Sequence, residues 1–229
     1  MMLLCAGGVG FVFIHLFVSR TGLRSWLVAR IGEGPYMGLF SLASLGTVGL
    51  MVAGYQQASL QSTYLWFPPW WLIASGLPLM LVAYTLVLIG LTTPSPTTAG
   101  MEHVLQHEEP ATGILRISRH PFLAGMALWS GYHLTVNGDT ASMAVFLPFF
   151  ITSLAGPSSI DRKRREKHGE RWAVFEAKTS ILPFAAIVQG KNRWVWAEIG
   201  WLRLLGAFIL FLVLLVSHQW LFGVSPYPP

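Results

Sequence analysis

Apolar residues in this chain come in long unbroken runs separated by short polar stretches, unlike the alternation of a half-buried strand or the single stripe of a soluble helix. About 20 apolar residues in helical form cross a bilayer core. Six runs come near that length, at about 2–19, 35–55, 70–91, 121–137, 140–156 and 196–217. The pattern predicts an all-α fold: a polytopic membrane bundle of about six transmembrane helices, forming a single domain over 1–229. The fourth and fifth runs are short. Asn137-Gly138-Asp139 between them is a tight-turn sequence, so the two are expected to form a helical hairpin. Residues 158–178 then predict a basic amphipathic cytoplasmic helix. Ser158 is placed to cap it, with Asp161 three residues on, and His168, Trp172, Phe175 and Thr179 fall on one face. Such a helix either lies in the membrane interface with its Lys and Arg stems reaching phosphates, or folds over a site as a lid. Gly7, Gly8, Gly10, Ser41, Ser44, Gly46 and Gly49 are expected to let helix backbones approach closely.

Composition sharpens this picture. The 229 residues are 53% hydrophobic and 11% charged, where a soluble domain carries roughly 25% charged residues; the missing charge points to a lipid-facing surface. The net charge of +5 does not indicate nucleic acid, because the basic residues lie in loops between apolar runs. Three loops, after the first run and before the fourth and sixth, hold fourteen of the fifteen Lys and Arg residues; Arg203 lies within the sixth run. The positive-inside rule then places those loops in the cytoplasm and both termini on the far side, which requires an even number of spans. For a bacterial inner membrane the termini are periplasmic. The first run lacks a charged n-region and is expected to be a retained span rather than a cleaved signal peptide. Trp66, Phe67, Trp70, Trp71, Trp194, Trp196 and Trp201 lie near the ends of spans, as interfacial aromatics do. The single cysteine, Cys5, excludes an internal disulfide framework and any Cys-rich metal site.

The chemistry-bearing residues are few. An ionisable side chain at membrane depth is costly and marks a functional site by default, and two histidines qualify: His15 in the first span and His133 in the fourth. Opposed histidines on different helices can hold a haem; alternatively each hydrogen-bonds a carbonyl or hydroxyl between packed helices. With helices of 1.5 Å rise running in opposite directions, the two differ in depth by about 8 Å, a mismatch that counts against a shared iron unless helix tilt takes it up. Arg119 and His120 precede Pro121 at the start of the fourth run, where they either hold an anionic group beside a helix N-terminus or anchor the helix at the interface. His103 and His107 have a metal-compatible i, i+4 spacing but no third ligand nearby. Glu198 and Arg203 can pair with each other or with headgroups.

Several motifs carry a family resemblance. R-H-P-F-L-A-G (119–125), Y-H-L-T-V-N-G-D (132–139), G-P-S-S-I-D-R-K (156–163), H-G-E-R-W-A-V-F (168–175) and T-S-I-L-P-F (179–184) follow one another, with R-I-G-E-G-P-Y-M-G-L-F-S-L (30–42) upstream. Together they resemble the NnrU family of bacterial membrane proteins, associated with nitrite and nitric oxide reduction in denitrification. The chain also resembles plant zeta-carotene isomerases, which share the domain, bind haem b and isomerise a polyene. That resemblance implies haem b on His15 and His133 as the iron ligands, Arg119 and His120 near a propionate or substrate group, and a lipid-soluble substrate. The cysteine found there three residues before the later histidine is Ser130 here. More distantly the chain resembles isoprenylcysteine carboxyl methyltransferases, which implies an S-adenosylmethionine site at Arg119, His120, Pro121, Gly125, Gly169 and Glu170. The paired glutamates of those enzymes are replaced here by Ile160 and Asp161, followed by the basic run 162–165. A third expectation is a non-enzymatic accessory or sensor protein.

Overall fold

The computed structural model describes residues 1–227. Helices are the regular structure of the described residues, joined by turns and loops, with one isolated bridge between Tyr64 and Asp139. In chain order the α-helices are α1 (Met2–Val12), α2 (Gly22–Ile31), α3 (Glu33–Ser59), α4 (Trp70–Ala74), α5 (Gly76–Thr92), α6 (Ile114–Ile117), α7 (Pro121–Val136), α8 (Thr140–Lys178), α9 (Ala185–Val188) and α10 (Trp201–Phe222). Among the described residues, α3, α4 with α5, α8 and α10 are long and apolar enough to cross a membrane. The pair formed by Met2–Val18 and α2, bent by 83°, passes the same test only when its two helices are taken together, as a broken span or a re-entrant loop. The fourth predicted span appears as α7, whose 16 residues rise about 24 Å and fall short of a full crossing.

Two compact units divide the chain: residues 1–69 with 130–156, and residues 70–129 with those from 157 onward. In the first, α1 packs on α3 through glycines. A Cβ on Gly7 would lie 2.7 Å from the Thr47 carbonyl, and one on Gly54 would lie 2.6 Å from the Leu4 nitrogen. The expected contacts hold for Gly7, Gly8 and Gly10 but not for Gly46 and Gly49, which face open space. Most of the stretch 20–34, read as a loop, forms α2 (Gly22–Ile31). Its Arg24 pairs with Glu33 at 3.0 Å, its Arg30 lies over the Trp26 ring, and Trp26 is exposed, features of a helix lying in an interface.

The predicted turn joins α7 to α8. Asp139 caps α8, with one carboxylate oxygen accepting from the backbone of Ala141 and Ser142 and from the Ser62 hydroxyl. Leu65 N–H donates to the Gly138 carbonyl at 2.7 Å. A Cβ on Gly138 would meet the Trp66 carbonyl oxygen at 1.9 Å, so only glycine fits. Gly138→Ala is expected to destabilise the protein by about 1–3 kcal/mol, read as a lower thermal midpoint in detergent; an unchanged midpoint would show that the turn can open without cost.

In the second unit, α10 packs on α5, and a buried cluster includes Ile89, Leu105, Ile114, Leu115, Trp172, Phe175 and Ile199. This corrects the amphipathic-helix expectation in two ways. The helix does not start at a Ser158 cap, because α8 runs from Thr140 through Gly156-Pro157 without an extended residue to begin a new helix. The break comes at Gly169, with φ 50° and ψ −119°, a left-handed conformation that glycine takes at no steric cost. The apolar face is also not laid in lipid. Trp172 and Phe175 are fully buried against protein.

Candidate functional site

The first unit holds both His15 and His133. His15 sits in a π-helical turn, Phe13–Val18, that interrupts regular α-helix. Such turns are rare and are frequent at functional sites. The His15 Nδ1 lies 2.9 Å from the Phe11 carbonyl oxygen. A carbonyl can only accept, so Nδ1 carries the proton and Nε2 keeps its lone pair. This is the arrangement by which a metal-binding histidine is oriented: one ring nitrogen donates to the protein and the other faces the metal. The Ser19 hydroxyl donates to the carbonyl of His15 itself.

Aromatic rings from four helices gather around the two histidines. His15 stacks on Phe11 with centroids 4.1 Å apart and meets Phe40 edge-on at 5.1 Å. Phe11 packs against Phe149 at 4.8 Å. His133 stacks on Phe146 at 4.6 Å and meets Tyr132 edge-on. Phe146 and Phe149 are three residues apart on α8, hence on one face. Both imidazoles therefore rest against aromatic residues of the same helix, directly for His133 and through Phe11 for His15. A metal-competent imidazole nitrogen beside apolar aromatic rings is compatible with haem ligation. The sequence reading missed Phe11, Phe40, Phe146 and Phe149, which read as ordinary membrane residues.

Arg119 and His120 belong to the second unit, where they form a buried ionic cluster. Both nitrogens Nε and Nη2 of Arg119 donate to Asp161 Oδ2, at 2.9 and 2.8 Å; Nη2 also reaches Glu176 Oε1 at 3.4 Å, and Nη1 donates to the Thr179 carbonyl. His120 Nε2 lies 2.7 Å from the other Asp161 oxygen. The backbone is stitched alongside: Arg119 N–H donates to the Ser180 carbonyl, Phe184 N–H to that of Ile117, and the Ser118 hydroxyl to that of Ile181. The R-H-P and T-S-I-L-P-F motifs are thus two sides of one joint. With the Arg119 donors committed to protein acceptors, the geometry supports a clamp at the start of α7 rather than an open anion cradle. Gly169 and Glu170 are exposed while Arg119 and His120 are buried, so these positions of the methyltransferase pattern differ sharply in accessibility.

A second ionic joint replaces the expected Glu198–Arg203 pair. Glu198 lies in a short turn of 3-10 helix before α10 and binds Arg116 with both oxygens, at 2.7 and 2.9 Å, while accepting from Gly113 N–H. The hydrogen bonds from Arg116, set against a smaller opposing effect of burial, hold the Glu198 carboxyl below its usual range. A carboxyl depressed in the folded state stabilises fully above its unfolded pKa and loses that contribution as pH falls through the folded value. The stability lost between neutral pH and roughly pH 3–4 is expected to be smaller in Glu198→Gln than in the parent chain. Parallel acid-unfolding curves for the two proteins would show the joint to be irrelevant. His103 and His107 have ring centroids 6.4 Å apart, and no group of three or more metal-ligating side chains is found among the described residues.

Residues 3–226 match the family model described as NnrU protein. Two curated relatives are each named 15-cis-zeta-carotene isomerase, chloroplastic. The one from Zea mays is 31% identical over 103 residues, covering 43% of this chain and 28% of its own length. The one from Arabidopsis thaliana is 32% identical over 102 residues, covering 42% and 28%. The match thus spans under a third of either relative. No solved structure matches the chain.

Proposed function

Because the chain belongs to the NnrU family, we propose that it is a membrane haem b protein, with His15 and His133 as the iron ligands, acting in redox-linked isomerisation of a lipid-soluble polyene. The observation that carries this reading is His15: an intramembrane imidazole in a π-helical turn, its Nδ1 proton given to the Phe11 carbonyl and its Nε2 left with a lone pair. The name of the two relatives supports the substrate class. Bound haem would supply one-electron redox chemistry. The chain's own part is to orient the His15 imidazole through the Phe11 carbonyl, to wall the site with Phe40, Phe146 and Phe149, and to exclude water so that a polyene meets only apolar surface. Arg119 and His120 serve this reading by fixing the start of α7, the helix that carries His133. The loops rich in Lys and Arg face the cytoplasm in this reading, with the chain in a bacterial inner membrane. The family's association with denitrification leaves a nitrogen-oxide reaction as the alternative use of the same haem.

The test is the visible spectrum of the purified protein, made with ample haem supply, before and after dithionite. A Soret band with b-type bands on reduction is the expected result. Reduced protein would then be incubated with a cis-polyene and the isomers separated by chromatography. A colourless protein that cannot be reconstituted with haem sinks this reading and moves attention to S-adenosylmethionine binding.

A further inference from the structure

Beside the Arg116–Glu198 joint lies a cavity of about 320 Å³ lined by Arg116, Lys178, Lys191 and Arg193, with Glu109 and Asn192. Its wall is built. Asn192 Oδ1 accepts from Arg116 Nη1 at 2.7 Å and its Nδ2 donates to the Lys178 carbonyl at 2.8 Å. Gly190, at φ 69°, turns the chain after α9 so that Lys191 follows at the mouth. The charges do not cancel. Arg116 is held by Glu198, and Lys178 reaches Glu109 at 3.1 Å. Lys191 and Arg193 are exposed and make no ion pair among the described residues. The cavity therefore presents two cations in excess.

Its neighbours in the chain are apolar and exposed. Val188 and Trp196 are 84% and 65% exposed on either side of the basic turn, and Trp201 opens the membrane-length helix α10. Tryptophans at the end of a spanning helix mark headgroup level. A polar cavity with surplus cations, flanked in the chain by exposed apolar side chains, combines what a lipid phosphate needs with what its acyl chains need. We propose that this cavity binds a phosphate-bearing anion, supplied by the headgroup of an anionic phospholipid. A zwitterionic headgroup carries its own cation and gains less from Lys191 and Arg193.

The experiment uses the purified full chain in detergent and native mass spectrometry with phosphatidylglycerol, phosphatidylcholine and inorganic phosphate. Phosphatidylglycerol is expected to be retained in preference to phosphatidylcholine. The double variant Lys191→Gln, Arg193→Gln is expected to weaken that retention by roughly 30-fold without shifting the thermal midpoint, because both side chains are exposed. Displacement of the lipid by inorganic phosphate, with equal protection against unfolding, assigns the same site to a soluble phosphate. Equal retention of the two lipids, or undiminished phosphatidylglycerol binding by the double variant, overturns the proposal. The outcome is independent of whether the protein binds haem.

Discussion

His15→Ala and His133→Ala are each expected to strip haem from the purified protein, seen as a lost Soret band at unchanged protein yield. The effect should be large. Even a partner one step removed from a metal ligand typically changes affinity by about 10–100-fold, and on the proposed reading these variants delete the ligand itself. The two substitutions differ in what they leave behind. His15→Ala frees the Phe11 carbonyl, which still lies in a helix next to its own backbone donors, so the fold should tolerate the change. His133→Ala removes a ring stacked on Phe146 and opens space between α7 and α8. Added imidazole should restore the band in either variant if the side chain acts as a ligand, because the small molecule can enter the space the ring vacated. Imidazole does not repair a general packing defect. If both alanine variants keep the parent spectrum in oxidised and reduced forms, neither histidine holds the iron.

Much of the fold was legible because membrane helices announce themselves by length and apolarity alone. The Asn137-Gly138-Asp139 turn was equally plain: a residue with no Cβ followed by a helix cap leaves few alternatives. What the runs could not reveal is how their polar edges fold. The stretch 158–178 has the charge pattern of an interfacial helix, yet Trp172 and Phe175 find a protein core in the segment around Leu105 to Ile117. Periodicity shows that a face is apolar and is silent on what covers it. The site was legible by half. Histidines at membrane depth stand out because burying them is costly, whereas the phenylalanines around them are lost among 14 in an apolar chain. The π-helical turn at Phe13–Val18 left no mark in composition. Asp161 was visible as a lone acid ahead of the basic run 162–165, but was read as a capping partner. Its bond to Arg119 joins residues 42 positions apart, a distance that no local pattern encodes.

Asp161→Ala is expected to cost about 3–5 kcal/mol. Asp161 is only 3% exposed, and both its oxygens are engaged, one by Arg119 and the other by His120. Arg119 is 7% exposed and, with Asp161 gone, keeps only the 3.4 Å contact to Glu176 and the Thr179 carbonyl. The cost arises chiefly from that stranded guanidinium, since a buried pair contributes little beyond its own desolvation. Two further variants separate this cause from simple loss of packing. Asp161→Asn keeps the volume and one acceptor, enough for Arg119 or His120 but not both, and should lie between parent and alanine. Adding Arg119→Met to Asp161→Ala removes the stranded charge, so the double variant should be more stable than the sum of the two single changes predicts. Thermal unfolding in detergent can be followed by tryptophan fluorescence, with Trp172 a built-in reporter because its indole N–H donates to Glu176 in the same cluster. A strictly additive pair would mean that Arg119 finds other acceptors or water once the carboxylate is removed. The 117–120 segment would then be held by its backbone bonds to residues 180–184 rather than by charge. A positive coupling identifies the cluster as the lock on the start of α7.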